Sequence, residues 1–123
     1  MARYRGLTLR VLGKGSPAMG PGKAELIERI VQTGSISAAA RAMGMSYRRA
    51  WQLVEALNDT YREPVVTTAI GGKRGGGARV SAFGKRLVKA FRSMEHKASA
   101  AIAADLRRFA GHLRKRPGTR YIP

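Results

Sequence analysis

The stretch Gly34 to Asn58, GSISAAARAMGMSYRRAWQLVEALN, constrains the fold more than any other part of this chain. It reads as two short helices joined by a tight turn. Ser35 or Ser37 can cap the first helix, because a serine hydroxyl accepts a bond from an otherwise orphan N–H. Ala38, Ala39 and Ala40 carry so little bulk that another helix can pack close. Gly44 stops the first helix and Ser46 caps the second, which extends to about Asn58 or Tyr61. On this second helix Ala50, Val54 and Leu57 recur at i, i+4 and i+7 with Leu53 beside them, a stripe suited to a core. Arg48, Arg49, Gln52 and Glu55 fall on the opposite side.

The flanking segments supply what such a pair must pack against. Leu7 to Val11 alternates apolar and polar positions and predicts a short strand; Gly13 to Gly22 is rich in Gly and Pro and predicts a loop. Lys23 to Thr33 places Leu26, Ile27, Ile30 and Val31 at helical spacing, with Gly34 as its stop. Pro64 breaks the helix before it. Val65 to Ala69 and Ala78 to Ser81 read as paired strands, and Gly71 to Gly77 (GGKRGGG) as the tip between them. A last helix is expected from about Ala82 to Leu113. Its apolar stripe is Leu87, Phe91, Met94, Ala98, Ala101 or Ile102, Leu106, Phe109 and Leu113, in steps of three and four with a slip near Ile102. The expected organisation is one domain over 1–113, its last helix at about 82–113, followed by a basic tail at 114–123. There is no internal repeat.

Composition narrows the partner. Lys and Arg number 24 against 7 Asp and Glu, a formal net charge of +17. That surplus favours polyanions: nucleic acid or an anionic membrane surface. There is no cysteine, so disulfides, thiolate chemistry and Cys-based zinc sites are excluded. No apolar run approaches the ~20 residues that span a bilayer, and basic Met1 to Arg10 is not followed by a signal-peptide segment. A cytoplasmic location is expected. Gly20-Pro21-Gly22-Lys23 resembles the end of a P-loop, but that motif needs Gly five positions before its final Gly and Ser or Thr after the Lys; here those positions hold Pro17 and Ala24. His96 and His112 read as solvated side chains. We expect no enzyme, no cofactor and no metal.

The two-helix unit has two readings: a helix-turn-helix whose second helix enters the DNA major groove, or an ordinary helical hairpin with solvated arginines. Arg can bond guanine O6 and N7 bidentately, and Gln can bond adenine N6 and N7. Trp51 flanks the apolar face and suits either a core edge or a DNA contact. The glycine-rich tip is a DNA-binding wing carrying Lys73 and Arg74 or a solvated loop. The long helix covers its own core, pairs with its copy, or does both on different turns.

Taken together, Gly34 to Asn58 and VVTTAIGGKRGGGARVSAFGKRLV resemble the N-terminal DNA-binding domain of the molybdate-responsive ModE regulators. The specific part is Ser46-Tyr47, the pair Ala50-Trp51, and GGKRGGGA followed by Val80-Ser81 and Gly84. The first segment alone also fits LysR-type regulators. The resemblance covers roughly Leu7 to Met94. It implies a mainly α fold with a small β-hairpin wing, that is, a winged helix-turn-helix with a long C-terminal dimerisation helix, and a homodimer that binds an operator in duplex DNA. In that family a further module binds molybdate; the chain ends at Pro123, so molybdate is not expected to bind this chain directly. The expected DNA-binding residues are Ser35, Ser37, Ser46, Tyr47, Arg48, Arg49, Trp51, Gln52, Lys73 and Arg74. The expected dimer interface is Leu87, Phe91, Met94, Ala98, Ile102, Leu106 and Phe109. The expected function is a sequence-specific transcriptional regulator of ModE type without an attached molybdate-binding module. The rivals are a sequence-indifferent architectural DNA-binding protein and a peripheral membrane or RNA-associated module.

Overall fold

The computed structural model describes residues 6–72 and 75–114. The chain opens with two short antiparallel strands, β1 (Val11–Leu12) and β2 (Pro17–Met19), which pair Val11 with Met19. Gly15 takes a left-handed φ of 86° in the turn between them. Here the structure departs from expectation. Leu7 to Arg10 is irregular, and the Gly- and Pro-rich stretch holds both a strand and the start of a helix. Pro21 sits at the first helical position, where its missing N–H costs nothing and its φ is already set.

Helix α1 (Pro21–Thr33) buries Ala24, Leu26, Ile27 and Ile30. It ends at Gly34 with a φ of 68°, and the Gly34 N–H donates to the Ile30 carbonyl at 2.8 Å. Helix α2 (Ile36–Ala42) starts at once, its N-terminus capped by Ser35, whose Oγ accepts from the Ala38 N–H at 3.0 Å. Gly44, at a φ of 69°, turns the chain into α3 (Tyr47–Thr60), capped by Ser46 Oγ accepting from the Arg49 N–H at 3.0 Å. The expected stripe Ala50, Val54 and Leu57 is buried. Ala39 and Ala40 are sealed between α1 and α3, which is the close approach their small side chains permit.

The chain then forms a hairpin, β3 (Val66–Gly72) with β4 (Gly75–Val80), in a register that pairs Val66 with Val80 and Gly72 with Gly75. The strands reach further into the glycine run than the sequence suggested, with an irregularity between Ala69 and Gly72. Two links fix the hairpin's base. The Ala78 N–H donates to the Gly34 carbonyl at 2.9 Å, and Asn58 bridges α3 to the start of β3.

Helix α4 (Ala82–Ala101) is capped by Ser81, whose Oγ accepts from the Gly84 N–H and donates to the Pro64 carbonyl at 2.7 Å. Gly84 is required by space: a Cβ there would stand 2.7 Å from the Val65 carbonyl oxygen. Phe91 fills the core below α1 at 1% exposure. One residue on, the Arg92 guanidinium donates to both Glu28 oxygens of α1, at 3.1 and 2.8 Å, and to Glu95 at 2.8 Å. The hydrogen bond to Glu28 raises the Arg92 pKa above its already high ordinary value, so the guanidinium keeps its charge where it faces Glu28 and Glu95.

The expected single helix to Leu113 is two helices. Ile102, with φ −110° and ψ 14°, separates α4 from α5 (Ala103–Ala110). Alanine on both sides favours helix, so propensity does not cause the break. It falls where the apolar stripe slips, and it brings Leu106 beside Gly6, 3.7 Å from where a Cβ would stand. Arg114 is exposed; the rest of the expected basic tail lies outside the described residues.

Candidate nucleic-acid interface

The open face of α3 is built by what its other face buries. With Ala50, Val54 and Leu57 in the core, helical geometry turns Tyr47, Arg48, Arg49, Gln52 and Glu55 outward, and all five are exposed. Charge is polarised along the helix. Arg48 and Arg49 sit in its first turn, where the macrodipole is positive, while Glu55 and Asp59 lie towards its far end. An anion is therefore attracted to the N-terminal half.

Tyr47 and Trp51, one turn apart, stack with ring centroids 6.4 Å apart and planes 11° from parallel. Trp51 also packs against the core, so it serves as a buttress, and Tyr47 stands exposed in front of it. The structure thus places Trp51 at the core edge and leaves its partner ring facing outward. The Ser46 hydroxyl accepts from the Arg49 N–H, which fixes the entry angle of α3. At α2, Ser35 is half-buried and engaged as a cap, and Ser37 is exposed in the first turn.

Where the hairpin meets Gly34 at the junction of α1 and α2, it offers a shallow cleft lined by Gly34, Thr67, Thr68, Ala69, Gly77, Ala78 and Arg79. Arg79 is exposed on β4 and was not among the residues singled out from the sequence. The available signal was its position in a short β-branched strand, where alternation turns it away from buried Val80. Arg41 is likewise exposed, on α2. Lys73 and Arg74, the expected tip cations, lie outside the described residues.

The stripe expected to form a dimer interface divides in two. Phe91 is sealed within the single chain and Leu87 packs against the same core, so these two belong to the domain's interior. Met94 at 42% and Phe109 at 68% exposure lie outside it, with Ala98, Ile102 and Leu106 half-buried between them. Among the described residues no group of His, Asp or Glu could hold a metal ion, and no helix is long and apolar enough to cross a membrane.

Comparisons with known proteins agree with this geometry. Residues 22–85 match the model of the bacterial regulatory helix-turn-helix proteins of the LysR family. The chain is 46% identical over 85 residues to the molybdenum-pterin-binding protein MopB of Rhodobacter capsulatus, covering 69% of this chain and 32% of that protein. It is 37% identical over 71 residues to the DNA-binding transcriptional dual regulator ModE of Escherichia coli, covering 58% of this chain and 27% of that one. The chain thus spans about three tenths of the length of the curated relatives it matches. Among solved structures, full-length LysG of Corynebacterium glutamicum with bound effector arginine aligns with a TM-score of 0.53 at 26% identity, covering 76% of this chain and 30% of that one. The CbnR DNA-binding domain in complex with DNA aligns with a TM-score of 0.54 at 18% identity, over 74% of this chain and 97% of that one, and so shares the fold.

Proposed function

Because the chain belongs to the LysR family of bacterial regulatory helix-turn-helix proteins, we propose that it binds duplex DNA sequence-specifically as a homodimer and regulates transcription in the cytoplasm, in the manner of a ModE-type reading head. One observation carries this reading: a capped helix, α3, buries one face completely and presents Tyr47, Arg48, Arg49 and Gln52 on the other, at its electropositive end. In the major groove Arg48, Arg49 and Gln52 read base edges, and Tyr47 meets a phosphate or a thymine methyl group. Ser35, Ser37 and Ser46 lie at helix starts, where side chains and free N–H groups approach phosphates. The hairpin, with Lys73 and Arg74 at its tip, lies along the backbone or in the minor groove. The exposed apolar face of α4 and α5, from Met94 to Phe109, pairs with its copy; two half-sites then double the contact surface. No catalysis is assigned to the chain.

Footprinting on genomic fragments tests the proposal. Discrete protected sites are expected. Uniform coverage would support the rival reading, favoured by the net charge of +17, of an architectural protein that ignores sequence.

A further inference from the structure

A second basic surface adjoins α3. A pocket of about 470 Å³ opens between β2, the start of α1 and α3. Its wall includes Arg10, Lys23, Arg49 and Gln52, with Gly20 and Gly22 along the edge. Three of its lining side chains are cations and none is a carboxylate. Elsewhere among the described residues Arg29, Arg92 and Arg108 each pair with an acidic neighbour. Arg10 and Arg49 have no such partner among those residues. Lys23 donates to the Pro17 carbonyl at 2.8 Å, which holds its ammonium in place without cancelling its charge. The Arg10 side chain crosses close to Gly20, 3.5 Å from where a Cβ would stand; around Gly22 the corresponding space is open. The wall is therefore low, and a rod-like polyanion can reach the cations.

Continuity decides which polyanion. Arg49 and Gln52 belong both to this pocket and to the exposed face of α3. Any duplex that takes α3 into its major groove brings a sugar–phosphate strand along the edge of that groove. We propose that this pocket seats the backbone phosphates of that strand, with Arg10 and Lys23 as phosphate contacts beyond the helix-turn-helix. The inference rests on the DNA-binding reading above. It adds a footprint that the two-helix unit and the hairpin do not provide, supplied by Arg10, the end of the β1–β2 turn at Pro17 and the first turn of α1. Phosphate contacts carry no sequence information, so this surface sets register and affinity.

The test uses the full chain, a duplex cut from a protected genomic fragment and a random-sequence duplex of equal length. For Arg10→Ala and for Lys23→Ala, the slope of log affinity against log salt should fall by about 1 each, equally on both duplexes. Arg10→Lys should restore it. Lys97→Ala, on α4 and outside this pocket, should leave the slope unchanged. Single phosphates are then neutralised by methylphosphonate substitution: one position should weaken the wild type and have no effect on Arg10→Ala. Thermal melts of the free variants establish that each is folded. A wild type that binds neither duplex overturns the DNA-binding reading itself. A wild type that binds with a normal salt slope, alongside an Arg10→Ala protein with the same slope, overturns only the pocket. The pocket is equally overturned if inorganic phosphate raises the melting temperature of the wild type through Arg10 while DNA binding ignores that residue.

Discussion

At the scale of single residues, Asn58 does the work of a short stretch of sheet. Its Oδ1 accepts from the Val65 and Val66 N–H groups at 2.8 and 3.1 Å, and its Nδ2 donates to the Val66 carbonyl at 2.9 Å. The last turn of α3 is thereby held against the first residues of β3. Asn58→Ala leaves two backbone donors at the buried start of the strand without partners, a loss of about 1–3 kcal/mol by the usual desolvation penalty. Urea denaturation measures it, and wild-type stability would show that water substitutes for the amide. Arg48 poses a different question, because it is exposed and unpaired with any carboxylate among the described residues. Arg48→Ala should keep full stability, cost ~1–3 kcal/mol of binding to a preferred site and relax preference at one base pair. Selection of bound sequences from a random pool checks this; an unchanged preference would remove Arg48 from the base-reading set. The Ser46 cap was legible in the sequence because its partner lies three residues away. Asn58 was not, because its partners lie beyond a proline-bearing bend and no local pattern marks them.

At the scale of elements, two apolar runs of the same period meet different fates. Periodicity announces an apolar stripe but does not say which chain buries it, and so Phe91 and Phe109 looked alike. The structure separates them: one is sealed below α1, the other stands 68% exposed on α5. Phe91→Ala should cost about 3–5 kcal/mol of folding stability, as core truncations do. Phe109→Lys should leave folding nearly intact and convert a dimer to a monomer, read by sedimentation. A dimer that survives Phe109→Lys would place the subunit contact elsewhere. The break at Ile102 was visible only as a slip in the stripe, because alanines on both sides argue for an unbroken helix. The hairpin makes the complementary prediction. Lys73→Ala or Arg74→Ala should weaken binding to every duplex alike and lower the salt slope by about 1, in contrast to the position-specific loss at Arg48. Titrations on matched and scrambled duplexes compare the two classes.

At the scale of the whole molecule, a formal charge of +17 over 123 residues works against compactness. Among the described residues, buried Glu95 and its neighbour Glu28 are engaged by Arg92, and besides it only Arg29 and Arg108 pair with a carboxylate, so most of the described cations have no ion-pair partner among those residues. The melting temperature of the free protein should therefore rise as salt screens that repulsion, and rise further with duplex DNA at low salt. Scanning calorimetry over a salt series measures both, and a flat salt response would mean that the cations are already too far apart to repel. The fold class was legible because its signals agree: helix stripes, serine caps and a glycine hairpin in the right order. What was not legible was the N-terminal β1–β2 ribbon, whose pairing depends on a turn of Gly and Ser rather than on strand composition. The hairpin's base is fixed by the pairing of Val66 with Val80, by Asn58 and by Ser81. Length can therefore vary at the tip without disturbing anything below. Insertions of a symmetric pair of residues, one on each strand, preserve which side chains face the cleft, whereas a one-residue slip reverses them; related chains should differ in wing length by even steps.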